Sequence, residues 1–473
     1  MLRSITPLFI LSLIMLSCTP QNNDPASING VWTSIGSGWL LEIRDSSTYH
    51  WYDHTPISCL SNSNGVFNEI SPSLTLKADT LYLLTGVMNY AFTRTNTLPT
   101  LCSTPTDTAQ ANDPLHNFEV FAATVKEHYA FMKLNHVDWE GLYQGQKKKL
   151  LEQPNELVLY QCLEEILDQI NDNHAFLEAD EAIYAALDNA SEPTPQTEEA
   201  LPEYGDFQVA NLVTQHHLEA EMTEDSWLIQ WGKLADSIGY AQIKAMWLYA
   251  DLAVPQALIE QVGYVDAYVQ TFHAMYEGTY INKEVAGAAR IMSRVMNDLS
   301  AFPNLVIDIR FNGGGQDAVS FEILRHLITG KRQVATQKLQ YGGQFSPTQA
   351  LFIEGKDRPY EGAVYVLTSP QTGSAAEAFS IATLDLPKVK RIGSATSGAL
   401  STSLEKTLPN GWAFAISNEV YMDNQGKSYE NKGIPVDHEL HYPSDRQTFF
   451  RGIVNDLAKD KAEILRAITT LQE

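Results

Sequence analysis

The chain has 473 residues, with 32 Lys+Arg against 57 Asp+Glu and a formal net charge of −25. At about 150 residues per folding unit the length predicts about three units, and a hydrophobic fraction of 44% is ample for their cores. A surface this acidic repels phosphate backbones and anionic headgroups, which argues against nucleic acid as a partner.

The N-terminus reads as an address. Arg3 is a positive start, Leu8–Leu16 is apolar, and Ser17-Cys18 leads into a polar run. The apolar stretch is too short for a bilayer span of about 20 helical residues. The pattern resembles a bacterial lipoprotein signal. That resemblance implies a signal peptide over 1–17, lipidation of Cys18, a tether over 18–26 and a protein anchored by lipid in the bacterial cell envelope. A plain cleaved signal with a chance cysteine is the alternative.

Residues 27–106 alternate short β-rich runs, Trp39–Ile43 and Thr80–Leu84 among them, with Ser/Asn/Gly turns, predicting a small all-β domain. Its Gly30-Val31-Trp32 start resembles that of small lipocalin-like barrels. Cys59 and Cys102 both fall here, and in an exported protein they are candidates for a disulfide. Over 115–178 the period becomes helical (Phe118, Phe121, Val125, Tyr129; Leu159, Leu163, Ile166, Ile170), predicting a helical subdomain with Cys162 buried in it. Residues 179–236, with a Pro/Glu-rich stretch at 190–205, read as a linker or excursion.

From 237 to 445 strands alternate with helices, predicting an α/β core with a largely parallel sheet, followed by a C-terminal helix over 446–473. Strands are expected at Ser237–Ile243, Asn304–Arg310, Ala363–Thr368 and Lys388–Gly393, helices at Lys283–Leu299, Asp317–Ile328 and from Ser374, and a hairpin at Pro409-Asn410-Gly411. Ligands in such sheets bind beyond the carboxyl ends of the strands, where Gly313-Gly314-Gly315 and Ser374 fall. The glycines expose amides that can hold a phosphate or an oxyanion, although taken alone they favour a tight structural turn. Ser374 with Glu377 three residues on also fits a capping box, a structural role for the same residues.

Five segments in order extend the reading: IDIRFNGGG (307–315), VYVLTSPQTGSAAEAF (364–379), RIGSATSG (391–398), LPNGWAFAIS (408–417) and YENKGIPVD (429–437). With Asp172-Asn173-His174 and Ile238-Gly239-Tyr240 upstream, this order resembles the tail-specific (C-terminal-processing) serine proteases, including the tricorn core and the retinoid-binding repeats. The resemblance implies a multidomain α/β protein with a ClpP/crotonase-like catalytic core. Where processing proteases carry the lysine of a Ser/Lys dyad, this chain has Gly398-Ala399-Leu400. It is therefore similar to the tricorn-like branch, which implies Ser374 as nucleophile, His174 as general base and Glu430 in support, directly or through Asn173. For the oxyanion hole it implies the backbone amides of Gly313, Gly314 and Ala375.

His438 is the rival base and Lys406 the rival for a dyad; Asp308 and Arg310 read as sheet braces. The 64 residues between His174 and Gly239 are tight for a PDZ module, and the aromatic-rich segment Met246–Gly278 is a candidate roof for the cleft, or core helix. The expectation is a serine peptidase acting on unfolded polypeptide or peptide, with no metal or organic cofactor. A non-catalytic binder of peptide or apolar ligand and an envelope scaffold are the alternatives.

Overall fold

The computed structural model describes residues 27–95, 97–104, 107–190 and 201–473. The expected signal 1–17 and Cys18 lie outside them, as do residues 191–200 of the Pro/Glu-rich stretch. Among the described residues no helix is long and apolar enough to cross a membrane. The N-terminal unit is one antiparallel sheet of β1 (Gly30–Ser34), β2 (Trp39–Arg44), β3 (Thr48–Thr55), β4 (Ser58–Val66), β5 (Leu74–Lys77), β6 (Thr80–Thr85) and β7 (Met88–Thr95). Short helical turns α1 (Phe67–Ile70), α2 (Thr100–Ser103) and α3 (Thr108–Ala111) accompany it. Strand order is β4-β3-β2-β1-β7-β6-β5, and β4 and β5 do not pair with each other, so the sheet stays open and is not a barrel. Trp32, Leu41, Leu81 and Phe92 fill its core, and a Cys59–Cys102 disulfide ties β4 to α2.

Three helices follow: α4 (Pro114–His128), α5 (Trp139–Glu152) and α6 (Glu156–Ile170). Helix α6 begins at Asn155, whose side chain accepts from the Val158 amide, and stops at left-handed Asn171 (φ 49°). Its buried stripe of Leu159, Cys162, Leu163, Ile166, Leu167 and Ile170 has helical spacing and packs on α4. Beyond it come β8 (Phe176–Glu178) and α7 (Glu181–Ala190). This helical layer has no core of its own. Its apolar face closes over Leu404, Trp412, Phe414 and Ile416, which belong to the hairpin some 240 residues later.

Contrary to the linker reading, the segment after 205 joins the α/β core. Helix α8 (Asp206–His217), β9 (Ala220–Glu221) and β10 (Ile229–Ala235) precede β11 (Ile238–Ile243), and β9 and β10 extend its sheet antiparallel. Next come α9 (Gln256–Val262), α10 (Tyr264–His273), α11 (Glu277–Leu299), β12 (Asn304–Asp308) and α12 (Asp317–Leu324). A side sheet is built from β13 (Lys331–Tyr341), β14 (Gln344–Phe345) and β15 (Gln349–Glu354), with a later strand, Glu419–Met422, pairing antiparallel to β13. The chain continues through β16 (Ala363–Thr368), α13 (Ala375–Ala382), β17 (Val389–Gly393), the hairpin β18 (Ser403–Thr407) and β19 (Ala413–Ser417), β20 (Glu419–Met422) and β21 (His438–Glu439). Two helices, α14 (Arg446–Asn455) and α15 (Leu457–Gln472), end it where one was expected.

The main sheet runs β21-β17-β16-β12-β11-β10-β9, with β11, β12, β16, β17 and β21 parallel. Its strands are apolar on both faces because both are covered. Leu305, Ile307, Val364 and Val366 face α11, α12 and α13, whereas Val306, Tyr365 and Leu367 face Ile464 and Ile468 of α15. At the carboxyl edge Arg310 is fully buried between Asp308 (2.7 Å) and Asp460 of α15 (2.8 Å), with His217 2.9 Å from Asp460. Asp308 and Arg310 thus brace the sheet end and leave the loops beyond it free for chemistry.

Candidate active site

Strand β16 ends in Ser369-Pro370-Gln371-Thr372-Gly373 and delivers Ser374 to the N-terminus of α13. Ser374 has φ 51° and ψ −124°, a conformation costly for a non-glycine residue by about 1–3 kcal/mol. Neighbouring backbone over-determines it. The Ser374 amide donates to the Ala399 carbonyl (2.9 Å), Gly373 to the Asn312 carbonyl (3.2 Å), and the Ser374 carbonyl accepts from Glu377 (2.7 Å) and Ala378 (3.1 Å). Although Ser374 occupies the N-cap position, its side chain makes no cap hydrogen bond and is half-exposed. The capping-box reading fails because both of its side chains point elsewhere.

The glycine loop lies against this turn. A Cβ at Gly314 would stand 2.6 Å from Ser374 Cβ and 3.1 Å from the Ala375 nitrogen, and its φ of +117° requires glycine. The Asn312 side chain fixes the loop, donating to the Ile243 carbonyl (3.0 Å) and accepting from the Gly314 amide (2.9 Å). That bond corrects one expectation: the Gly314 N–H is committed to Asn312 and is not an oxyanion donor here. The amides of exposed Gly313 and of Ala375 have no acceptor among the described residues. On the far side, the Met246 amide donates to the Gly314 carbonyl (2.8 Å) and the Met246 carbonyl accepts from Gln316 (2.8 Å). The 246–278 segment thus borders the loop, while its aromatics Tyr268 and Phe272 pack on Tyr280 in the core.

Two buried carboxyl groups grip the neighbouring loop. Glu377 receives Thr396 Oγ1 (2.6 Å) and the Gly398 amide (2.8 Å) on Oε1, and the Ala399 amide (2.6 Å) and Ser397 Oγ (3.0 Å) on Oε2. Glu430 Oε2 receives the next two amides, Leu400 (3.1 Å) and Ser401 (3.2 Å). Burial, and then the charge of Glu377, push Glu430 up to about 8, so it holds its proton at neutral pH. Burial lifts Glu377 to about 6 against the pull of its hydrogen bonds. In this structure Glu430 Oε2 is engaged by loop amides and not by an imidazole. No hydrogen bond joins Glu430 to His174, and the expected bridge Asn173 is exposed and makes no side-chain bond among the described residues.

His174 reaches the same loop from the helical layer. Asp172 accepts from the His174 amide (3.0 Å), from the Ser417 amide (2.6 Å) and from Ser417 Oγ (2.7 Å), and Ser403 Oγ donates to the His174 carbonyl (3.2 Å). The half-buried ring leaves Nδ1 buried without a partner, and burial lowers its pKa below the ordinary 6.5, partly offset by Asp172. Ser374 is therefore tied by its amide to Ala399 of the 396–401 loop and His174 by its carbonyl to Ser403 Oγ at the start of β18, with no direct hydrogen bond between their side chains. The rivals lie elsewhere. Lys406 is buried in an ion pair with Asp53 of β3, and His438 sits on the edge strand β21 opposite Ile392. Among the described residues no group of His, Cys, Asp and Glu is arranged to hold a metal. Glu377, Asn312 and Asp172 are the polar side chains that shape the site without having been singled out for that role.

Residues 261–440 match the family described as peptidase family S41, a span that contains the glycine loop, Ser374 and Glu430 and leaves His174 outside. Among solved structures, mature CPAF superposes with a TM-score of 0.52 at 12% identity, covering 77% of this chain and 99% of that one. Its complex with lactacystin gives 0.51 at 12% identity, covering 77% and 100%. A Parabacteroides merdae protein named for an inferred peptidase activity gives 0.48 at 19% identity, covering 73% and 97%. The two likenesses above one half establish a shared mixed α/β fold over most of the chain.

Proposed function

We propose that this chain, whose residues 261–440 match peptidase family S41, is an exported, lipid-anchored serine peptidase. It cleaves unfolded polypeptide or peptide through an acyl-enzyme on Ser374. The observation that carries this reading is the presentation of Ser374. It is a half-exposed hydroxyl on a strained turn, freed from capping duty, beside two amides without acceptors. In the proposed reaction Ser374 Oγ attacks the scissile carbonyl while the neutral His174 ring takes the hydroxyl proton. The Gly313 and Ala375 amides stabilise the oxyanion. Collapse breaks the C–N bond, His174 returns its proton to the leaving amine, and water repeats the sequence on the ester. Glu430 serves this chemistry by holding Leu400 and Ser401, not by charging the imidazolium. The parallel run β11-β12-β16-β17, covered on both faces, supports a ClpP/crotonase-like core.

The test is fluorophosphonate labelling of single alanine variants at Ser374, His174, His438 and Lys406. Labelling is expected to vanish at Ser374, to fall steeply at His174 and to persist at His438 and Lys406. Full labelling of the His174 variant with none of the His438 variant would reverse the choice of base. Tight peptide binding without turnover would favour the non-catalytic binder instead. Lipidation is read separately: radiolabelled palmitate should enter the wild-type chain and not Cys18→Ala.

A further inference from the structure

We propose that Glu377 is the positioning residue of the nucleophile: its carboxylate shapes the 396–399 loop so that the Ala399 carbonyl holds the Ser374 amide. This inference rests on the reading of Ser374 as nucleophile. Glu377 is fully buried, and all four donors it receives come from one stretch of four residues. That stretch returns to the catalytic turn at two points on either side of Gly373. The Ala399 carbonyl takes the Ser374 amide (2.9 Å), and the Ser397 amide donates to the Thr372 carbonyl (2.9 Å). Glu377 lies three residues after Ser374 on the same helix, so turn, helix and loop close a ring through its carboxylate.

The ring decides between two uses of the same residues. With the loop clamped, Ser374 stays at φ 51° and its hydroxyl remains uncommitted. Without the clamp the turn is free to relax to an ordinary N-cap. The hydroxyl then bonds an amide of the first helical turn, the role its sequence context favours. A loop offering two hydroxyls and two amides satisfies a buried carboxylate far better than the one amide a capping box provides. Glu377 touches no reacting atom in this scheme and acts only through Ala399 and Ser374. Glutamine is a poor substitute, since its NH2 group must face at least one N–H or O–H donor of the loop.

The experiment compares wild type with Glu377→Gln and Glu377→Asp. It measures the fluorophosphonate acylation rate per titrated active site, and kcat and KM for a peptide substrate. The proposal expects Glu377→Gln to lower acylation and kcat by about 30-fold or more, the effect of a sub-ångström displacement of the attacking oxygen. It also expects KM to change by less than about threefold and the aspartate to recover part of the loss. A merely structural glutamate would reduce the amount of titratable enzyme and leave the rate per site unchanged, and that result overturns the proposal. Should Glu377→Gln not accumulate as folded protein, Thr396→Val and Ser397→Ala carry the test. Ser397→Ala deletes one donor alone and Thr396→Val deletes another together with the acceptor of the Ile434 amide, so Ser397→Ala decides: slower acylation per site supports the clamp, and a wild-type rate overturns it. Retained labelling of Ser374→Ala would refute the nucleophile itself, and this inference would fall with it.

Discussion

Gly314→Ala asks whether the glycine loop is there to let Ser374 occupy its turn. The added methyl would stand 2.6 Å from Ser374 Cβ and 2.9 Å from the Gly373 carbonyl. Restoring ordinary contact requires a displacement of about 0.8 Å, which in a site built for in-line attack costs about 10²-fold in rate. Backbone strain adds about 1–3 kcal/mol of lost stability, because φ at Gly314 is +117°. Gly426→Ala separates the two effects: it carries similar strain at φ +82° but meets nothing within 4 Å. Both variants should lose stability to strain in urea unfolding, Gly314→Ala the more because of its added contacts, and only Gly314→Ala should label slowly with a fluorophosphonate. The amides of Gly313 and Ala375 are chemically untouched, so a defect would report geometry alone. Labelling of Gly314→Ala within twofold of wild type would refute the argument that this contact sets the position of Ser374.

Three other outcomes follow from buried groups. Burial pushes Glu430 up to about 8 in the fold against an ordinary 4.5, so between those values the unfolded chain binds fewer protons than the native one. Stability present at low pH should therefore fall as pH rises through this window, by up to about 1.4 kcal/mol per pH unit. Glu430→Gln should flatten that slope in urea titrations from pH 5 to 8.5; an unchanged slope would assign it to other groups. Replacing Cys59 and Cys102 by serine opens a loop with a sequence separation of 43 and should cost up to about 4 kcal/mol by loop entropy. Acylation of Ser374 should stay intact; loss of labelling in folded protein would instead tie the N-terminal sheet to the chemistry. Asp53→Asn strands the buried Lys406 cation and should destabilise by about 3–5 kcal/mol, whereas Asp53→Leu with Lys406→Met should recover much of that on calorimetry.

What could be read from the sequence was what the chain does locally and what burial does to both faces of a strand. Ala363–Thr368 has the bounds its apolar run implies, and Asn304–Arg310 loses only Ile309 and Arg310, which turn toward the glycine loop. The hairpin at Pro409-Asn410-Gly411 is likewise a local matter, joining β18 to β19. The site resisted reading because its decisive contacts choose between partners far apart in the chain. Ser374 and Glu377 spell a capping box in sequence, and nothing local says that Gly398 and Ala399 will outbid the helix amides for the carboxylate. Three glycines announce exposed amides, but only the fold reveals that Asn312 takes the middle one and leaves Gly313 and Ala375 open. Glu430 looked like a charge available to a histidine. Burial, and then the charge of Glu377 53 positions earlier, pushes its pKa up, and backbone amides of Leu400 and Ser401 take its Oε2. The same physics explains the lost boundaries. A helical layer whose apolar stripe needs Trp412 and Phe414 to cover it cannot be a separate unit, so the histidine it carries is fixed to β18, the strand that leads out of the loop fixing the serine.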